Sequence, residues 1–201
     1  MLKSNITRRT AVVGLLSSTS LALVHGPAWA VSSTGQAESL ITKVVGEISR
    51  IANGGGSESS KISKFERVFR RYADLPTISR TVLGADARSA SSGQLSSFSK
   101  AFSGYMARKY GKRFRSFIGG QVEITSSRPV KSFFEVKTVA KLKGRSNFDV
   151  TFLVSGRSSK FFDMLIEGVS LLKSERTEIG AMLDRRKGDI NALIADLRKA
   201  G

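Results

Sequence analysis

The sequence has no cysteine, one histidine, one tryptophan and three prolines among its 201 residues. Both His25 and Trp29 fall within the first thirty residues. Those residues read as a secretory signal. Lys3, Arg8 and Arg9 form a positive n-region, Ala11 to Val24 is an apolar, small-residue stretch, and Ala28-Trp29-Ala30 is a small-x-small cleavage site. Thr7-Arg8-Arg9-Thr10 hints at twin-arginine export, but bulky apolar residues do not follow the arginine pair closely, so ordinary secretion fits equally well. The expected organisation is a cleaved signal over 1–30 and a single domain over 31–201. Cleavage would leave no histidine, cysteine or tryptophan. That excludes Cys–His and Ser–His–Asp catalysis and any His- or Cys-ligated metal site. It also excludes disulfides, so the core must hold the fold. No later run is long and apolar enough to span a bilayer. No phosphate-binding or dinucleotide glycine pattern occurs.

Acidic residues are also scarce. The chain carries 33 basic and 16 acidic residues, a formal net charge of +17. Residues 61–120 hold 13 basic and 3 acidic residues, whereas residues 161–201 balance at 7 and 7. A basic face suggests an anionic partner. For an exported chain that points to a membrane surface or an anionic lipid rather than nucleic acid. A merely solvated basic surface is the alternative.

Apolar periodicity divides the chain into helices, then strands, then helices. Leu40, Ile41, Val44, Val45, Ile48 and Ile51 recur at helical spacing, so 38–51 reads as an amphipathic helix. Phe65, Val68, Phe69 and Tyr72 mark a second helix from about Lys61, broken at Asp74-Leu75-Pro76. A short third helix runs from Pro76 to Gly84. Ser91 and Gln94 have capping-box spacing before a longer helix. Its stripe is Leu95, Phe98, Phe102, Tyr105, Met106, Tyr110, Phe114 and Phe117, with Lys100, Arg108, Lys112 and Arg115 opposite. Gly111 weakens or ends it.

After Gly119-Gly120 the period becomes two. Val122 and Ile124 alternate with polar residues, as do Phe134, Val136, Thr138, Ala140 and Leu142. Phe148, Val150, Phe152 and Val154 do so next, and then Phe162, Met164 and Ile166. These segments predict a four-stranded antiparallel meander with one wet and one apolar face. Two helices close the chain, about Ser170 to Arg186 and from Asp189 onward. The fold class is α+β, with helices on one face of the sheet.

The stretch Asp163-Met164-Leu165-Ile166-Glu167-Gly168-Val169-Ser170 places two carboxylates near a serine. In a strand, Asp163 and Glu167 would lie ~13 Å apart, beyond the roughly 5–9.5 Å of paired carboxylates. Alternation with Met164 and Ile166 puts both carboxylates toward solvent. Ser170 lacks the second glycine of a nucleophile elbow and any histidine partner, and reads as a helix N-cap. Enzymatic activity is not expected.

Two apolar surfaces remain: the long helix's stripe and the sheet face. They form either an ordinary filled core or a hollow that admits lipid tails, and composition does not separate these.

Three stretches resemble the MlaC, or toluene-tolerance, family of periplasmic phospholipid-binding proteins. The first is Phe69-Arg70-Arg71-Tyr72-Ala73-Asp74-Leu75-Pro76 through Arg80-Thr81-Val82-Leu83-Gly84. The second is Gln94 with Phe98, Phe102 and Tyr110. The third is Asp163 through Glu167-Gly168-Val169-Ser170-Leu171, followed by Arg176 and Ile179. The resemblance runs in order along nearly the whole chain beyond residue 30. Phe161-Phe162 stands where family members often carry a tryptophan before the aspartate.

The resemblance implies a sheet of NTF2- or cystatin-like kind with a helical subdomain, enclosing an apolar cavity. It implies a periplasmic carrier without cofactor that holds a phospholipid by its tails. Such a carrier passes lipid between an outer-membrane lipoprotein complex and an inner-membrane ABC transporter with an MCE-type subunit, maintaining lipid asymmetry. The alternatives are a carrier of another lipid, such as a hopanoid, or an adaptor that binds none. By position, Tyr72, Leu75, Ile78, Val82, Phe98, Phe102, Met106, Phe134, Val136, Phe148, Val150, Phe152, Met164 and Ile166 would line the pocket. Arg108, Lys112 and Arg115 would dock on a membrane or an acidic partner.

Overall fold

The computed structural model describes residues 33–112 and 117–201. The expected signal, Phe114 and Arg115 lie outside them. Four helices come first: α1 (Thr34–Asn53), α2 (Glu58–Tyr72), α3 (Leu75–Leu83) and α4 (Ser92–Gly111), with a 3₁₀ turn at Gly84–Arg88. The strands are β1 (Gln121–Val130), β2 (Phe133–Lys141), β3 (Phe148–Ser155), β4 (Phe161–Ile166) and β5 (Val169–Ser170), followed by α5 (Leu171–Arg185) and α6 (Ile190–Leu197).

Side-chain caps fix most helix starts. Ser57 Oγ accepts from the Ser60 amide at 3.2 Å, and Asp74 Oδ1 accepts from the Thr77 amide at 3.2 Å. The Ser91–Gln94 box is reciprocal, at 3.1 and 3.0 Å. Asp189 Oδ1 accepts from Asn191 and Ala192 and starts α6. Each cap satisfies amide donors that a helix's first turn leaves open.

The sheet is an antiparallel meander in the order β1-β2-β3-β4-β5. It has one strand more than the periodicity predicts. The fifth, only two residues long, pairs Ile166 with Val169 and Leu165 with Ser170, and is too short to show any alternation in sequence. Register aligns the apolar positions in cross-strand rows. Ile124, Thr138, Val150 and Ile166 form one row, and Val136, Phe152 and Met164 another. A register shift between Leu153 and Val154 sets Phe161 opposite Val154, so Phe162, not Phe161, falls out of the row. Phe162 instead meets Phe133 edge-on, with ring centroids 5.6 Å apart.

The buried side chains form two clusters. In one, Ala37 and Ile41 of α1 pack on Val136, Ala140, Val150, Phe152 and Val154 of the sheet. The other is helical, built on Phe98, Phe102 and Tyr105 of α4 with Ile179, Leu183, Leu193 and Leu197 of α5 and α6. Helix α4 is its central rod: every residue from Ala101 to Ala107 is buried. Of the basic residues expected on its other face, Lys100 and Lys112 are exposed, but Arg108 is engaged within the fold. Arg108 Nε donates to the Ala200 carbonyl at 2.8 Å and Nη2 to the Leu197 carbonyl at 2.5 Å, so its guanidinium caps the C-terminal end of α6. Periodicity could not reveal this, because the partner is backbone at the far end of the chain.

Candidate functional site

Between the two clusters lies a cavity of about 780 Å³, within the roughly 300–1,000 Å³ typical of small-molecule sites. Its walls come from α1, α2, α3, α4, the sheet and the start of α5. The sheet's apolar alternation supplies the floor. The amphipathic faces of α1 and α2 supply the opposite wall, because each must bury its stripe against something.

Of the residues expected at a pocket, Ile78, Phe102, Met106, Phe148, Val150, Phe152, Met164 and Ile166 line this cavity. The others sit elsewhere. Val82 and Phe98 are buried inside the helical cluster, with Leu75 packed against it. Val136 and Phe134 belong to the cluster between α1 and the sheet. Tyr72 turns to α1, where its hydroxyl donates to Glu47 Oε1 at 2.7 Å, and that contact raises the phenol's pKa. Sequence reasoning missed Ile41, Val44, Val45 and Ile48 of α1, Phe65, Val68 and Phe69 of α2, and Val122 and Ile124 of β1, all on the wall. Their periodicity was legible, but nothing in it distinguishes a stripe that faces a void from one that faces a filled core.

The joint between β4 and α5 closes one side. Asp163 lines the cavity and is buried rather than facing solvent. Alternation gives the face of a strand, not what covers it, and here the start of α5 folds back over Asp163. Its Oδ1 accepts from the amides of Met164 at 2.7 Å and Leu172 at 2.9 Å, and its Oδ2 accepts from the Ser170 hydroxyl at 2.6 Å. Ser170 Oγ accepts in turn from the Lys173 amide at 3.0 Å. A carboxylate and a hydroxyl thus cap α5 together, where the helix dipole favours negative charge. Glu167 and Gly168 make the turn with φ of 49° and 78°.

Where α4 meets α5, Tyr110 and Glu175 reach the wall and join a polar cluster behind it. Glu175 is 1% exposed and lines the cavity. Its Oε1 accepts from Lys109 Nζ at 2.8 Å and from the Tyr110 hydroxyl at 2.5 Å. Lys109 also donates to Glu178, and the Tyr105 hydroxyl donates to Glu178 Oε1 at 2.7 Å. Burial, followed by the glutamate contacts, pushes both tyrosines well above the usual phenol range. For Lys109, burial pulls downward and the bonds to Glu175 and Glu178 outweigh it, so its pKa rises. Hydrogen bonds from Lys109 and Tyr105 hold Glu178 below the usual carboxylate range.

The chain belongs to the MlaC family, whose model matches residues 38–199. No curated protein matches it. Among solved structures it is similar to a phospholipid-binding protein from Ralstonia solanacearum in complex with a phospholipid. The TM-score is 0.68 at 15% identity, covering 83% of this chain and 94% of that one. At that identity the likeness concerns the fold: an α+β architecture with an open antiparallel sheet. No helix among the described residues is long and apolar enough to cross a membrane.

Proposed function

We propose that this protein is a periplasmic lipid carrier that holds a phospholipid by its acyl chains in the cavity between sheet and helices. It would move that lipid between an outer-membrane lipoprotein complex and an inner-membrane ABC transporter with an MCE-type subunit. The observation that carries the reading is the cavity itself, with its apolar wall. The cavity of about 780 Å³ is large enough to take hydrocarbon chains, and its mainly apolar wall favours hydrocarbon over water. Each methylene withdrawn from water contributes ~0.8 kcal/mol.

Family membership and the phospholipid-bound Ralstonia protein of the same fold support the cargo class. The signal-like first thirty residues support export. Helix-capping roles for Asp163 and Ser170 support binding rather than catalysis. With Arg108 engaged by α6, docking on an acidic surface would fall to the exposed Lys100 and Lys112, together with Arg115.

Native mass spectrometry of the gently purified protein tests the reading. One phospholipid per chain is expected. Protein that emerges lipid-free and gains no mass on mixing with phospholipid would overturn it.

A further inference from the structure

The polar cluster on the cavity wall is asymmetric. Glu175 is buried, and only one of its carboxylate oxygens is used. Oε1 takes donors from both Lys109 and Tyr110, while Oε2 has no hydrogen-bond partner. A buried carboxylate oxygen without a donor is costly, on the order of several-fold to a hundred-fold in stability. Such a group in a folded protein calls for an explanation. Lys109 is already shared between Glu175 and Glu178 and bonded to Tyr105 as well, at 2.9 Å. All three ammonium donors are therefore committed. Of the other carboxylates on the wall, Asp163 is filled on both oxygens by the α5 cap and Glu123 is paired with Lys141. Glu175 thus keeps one unpaired, buried acceptor oxygen at a largely apolar cavity wall.

We propose that Glu175 recognises a hydroxyl group carried on the apolar part of the cargo, so that the cavity prefers lipids with a hydroxylated tail. The inference rests on the carrier reading and deepens it. A hydroxyl matches the site one to one: it has a single donor, and a single oxygen is vacant. An ammonium headgroup would bring three donors and find one unpaired acceptor, leaving N–H groups unsatisfied among hydrocarbon. Oε2 is buried, so the tail must part the side chains that cover it. Met106, Leu171 and Leu172 share the cavity wall, and a methionine among them is the side chain best able to give way.

The test compares two phosphatidylcholines that differ by one hydroxyl, an oleoyl chain against a 12-hydroxyoleoyl chain, in competition for the delipidated protein. Phosphatidylethanolamine with the oleoyl chain forms a third arm. The hydroxylated lipid should bind about tenfold tighter, the low end for a hydrogen bond to a charged group. Glu175→Gln puts an amide nitrogen where the unpaired oxygen stood and should weaken that preference several-fold relative to the native protein. Tyr110→Phe keeps the carboxylate and frees part of its acceptor capacity, so it should enlarge the preference, and a preference left unchanged would count against Glu175. It also serves if Glu175→Gln fails to fold. Equal binding of the two phosphatidylcholines by the native protein would overturn the inference and leave the carrier standing. A Glu175-dependent preference for phosphatidylethanolamine would overturn it in favour of a headgroup donor. Failure of all three lipids to bind would instead remove the carrier reading beneath it.

Discussion

The guanidinium of Arg176 lies across Gly84: a β-carbon on Gly84 would stand 3.0 Å from Arg176 Nη2. Gly84 has φ of 63° and ends α3, while Arg176 belongs to α5. The close approach joins two stretches that sequence alone shows only as separate motifs, the Arg80-to-Gly84 ending and the segment after Ser170. Gly84→Ala should cost about 1–2 kcal/mol, from the positive φ and the displaced guanidinium. Thermal unfolding should show a midpoint lowered by roughly 2–4 °C per kcal/mol. An unchanged midpoint would mean that the contact yields freely.

Gly46 separates stability from capacity. It sits in α1 on the cavity wall, and a β-carbon there meets nothing within 4 Å. Gly46→Leu should gain up to about 1 kcal/mol of helix propensity while occupying space meant for cargo. The melting temperature should rise and the bound lipid per chain should fall. In a protein with a solid core, the larger side chain would not leave binding reduced and stability increased together.

Arg108 should behave as a structural residue. Arg108→Ala removes the donors to the Leu197 and Ala200 carbonyls and should destabilise the protein by about 1–3 kcal/mol. Denaturant midpoints check the loss. Liposome association of the folded variant should match the native protein across a salt series, whereas a screened surface contact would be salt-sensitive.

The Lys109 cluster sets the pH window. Glu178 is held below its ordinary 4.5, so its contribution is complete above that value and is lost as pH falls through its lower folded value. The Tyr105 and Tyr110 phenols are raised above 10.0, and Lys109 above 10.5. Their contributions are complete below those values and fade as pH rises through the folded ones. Stability should therefore be flat between about pH 5 and 9 and fall on both sides. Tyr105→Phe should soften the alkaline decline, as measured by urea unfolding at pH 7 and pH 10.5.

The two periods, 3.6 and 2, were strong enough to place the six α-helices and the four long strands among the described residues, though not the 3₁₀ turn or the far end of β1, and the Ser91–Gln94 box marked the start of α4. Local chemistry also identified Ser170 as a cap. Long-range partners were not legible. Arg108 looked like a surface cation because its acceptors are carbonyls of the last helix. Asp163 looked solvent-facing because alternation ignores the helix that folds over it. The cavity was the hardest feature. Phe98 and Phe102 share one stripe and stack at 5.7 Å, yet only Phe102 reaches the hollow.

Photo-crosslinking addresses the location of the tails directly. A phosphatidylcholine carrying a diazirine within one acyl chain would be loaded, irradiated and its adducts mapped by peptide mass spectrometry. Adducts should concentrate at Phe102, Met106, Phe152 and Met164, which face the cavity from helix and sheet. Adducts confined to the sheet's outer positions, such as Lys137 and Thr151, or none on a lipid-bearing protein, would contradict acyl-chain binding in the cavity.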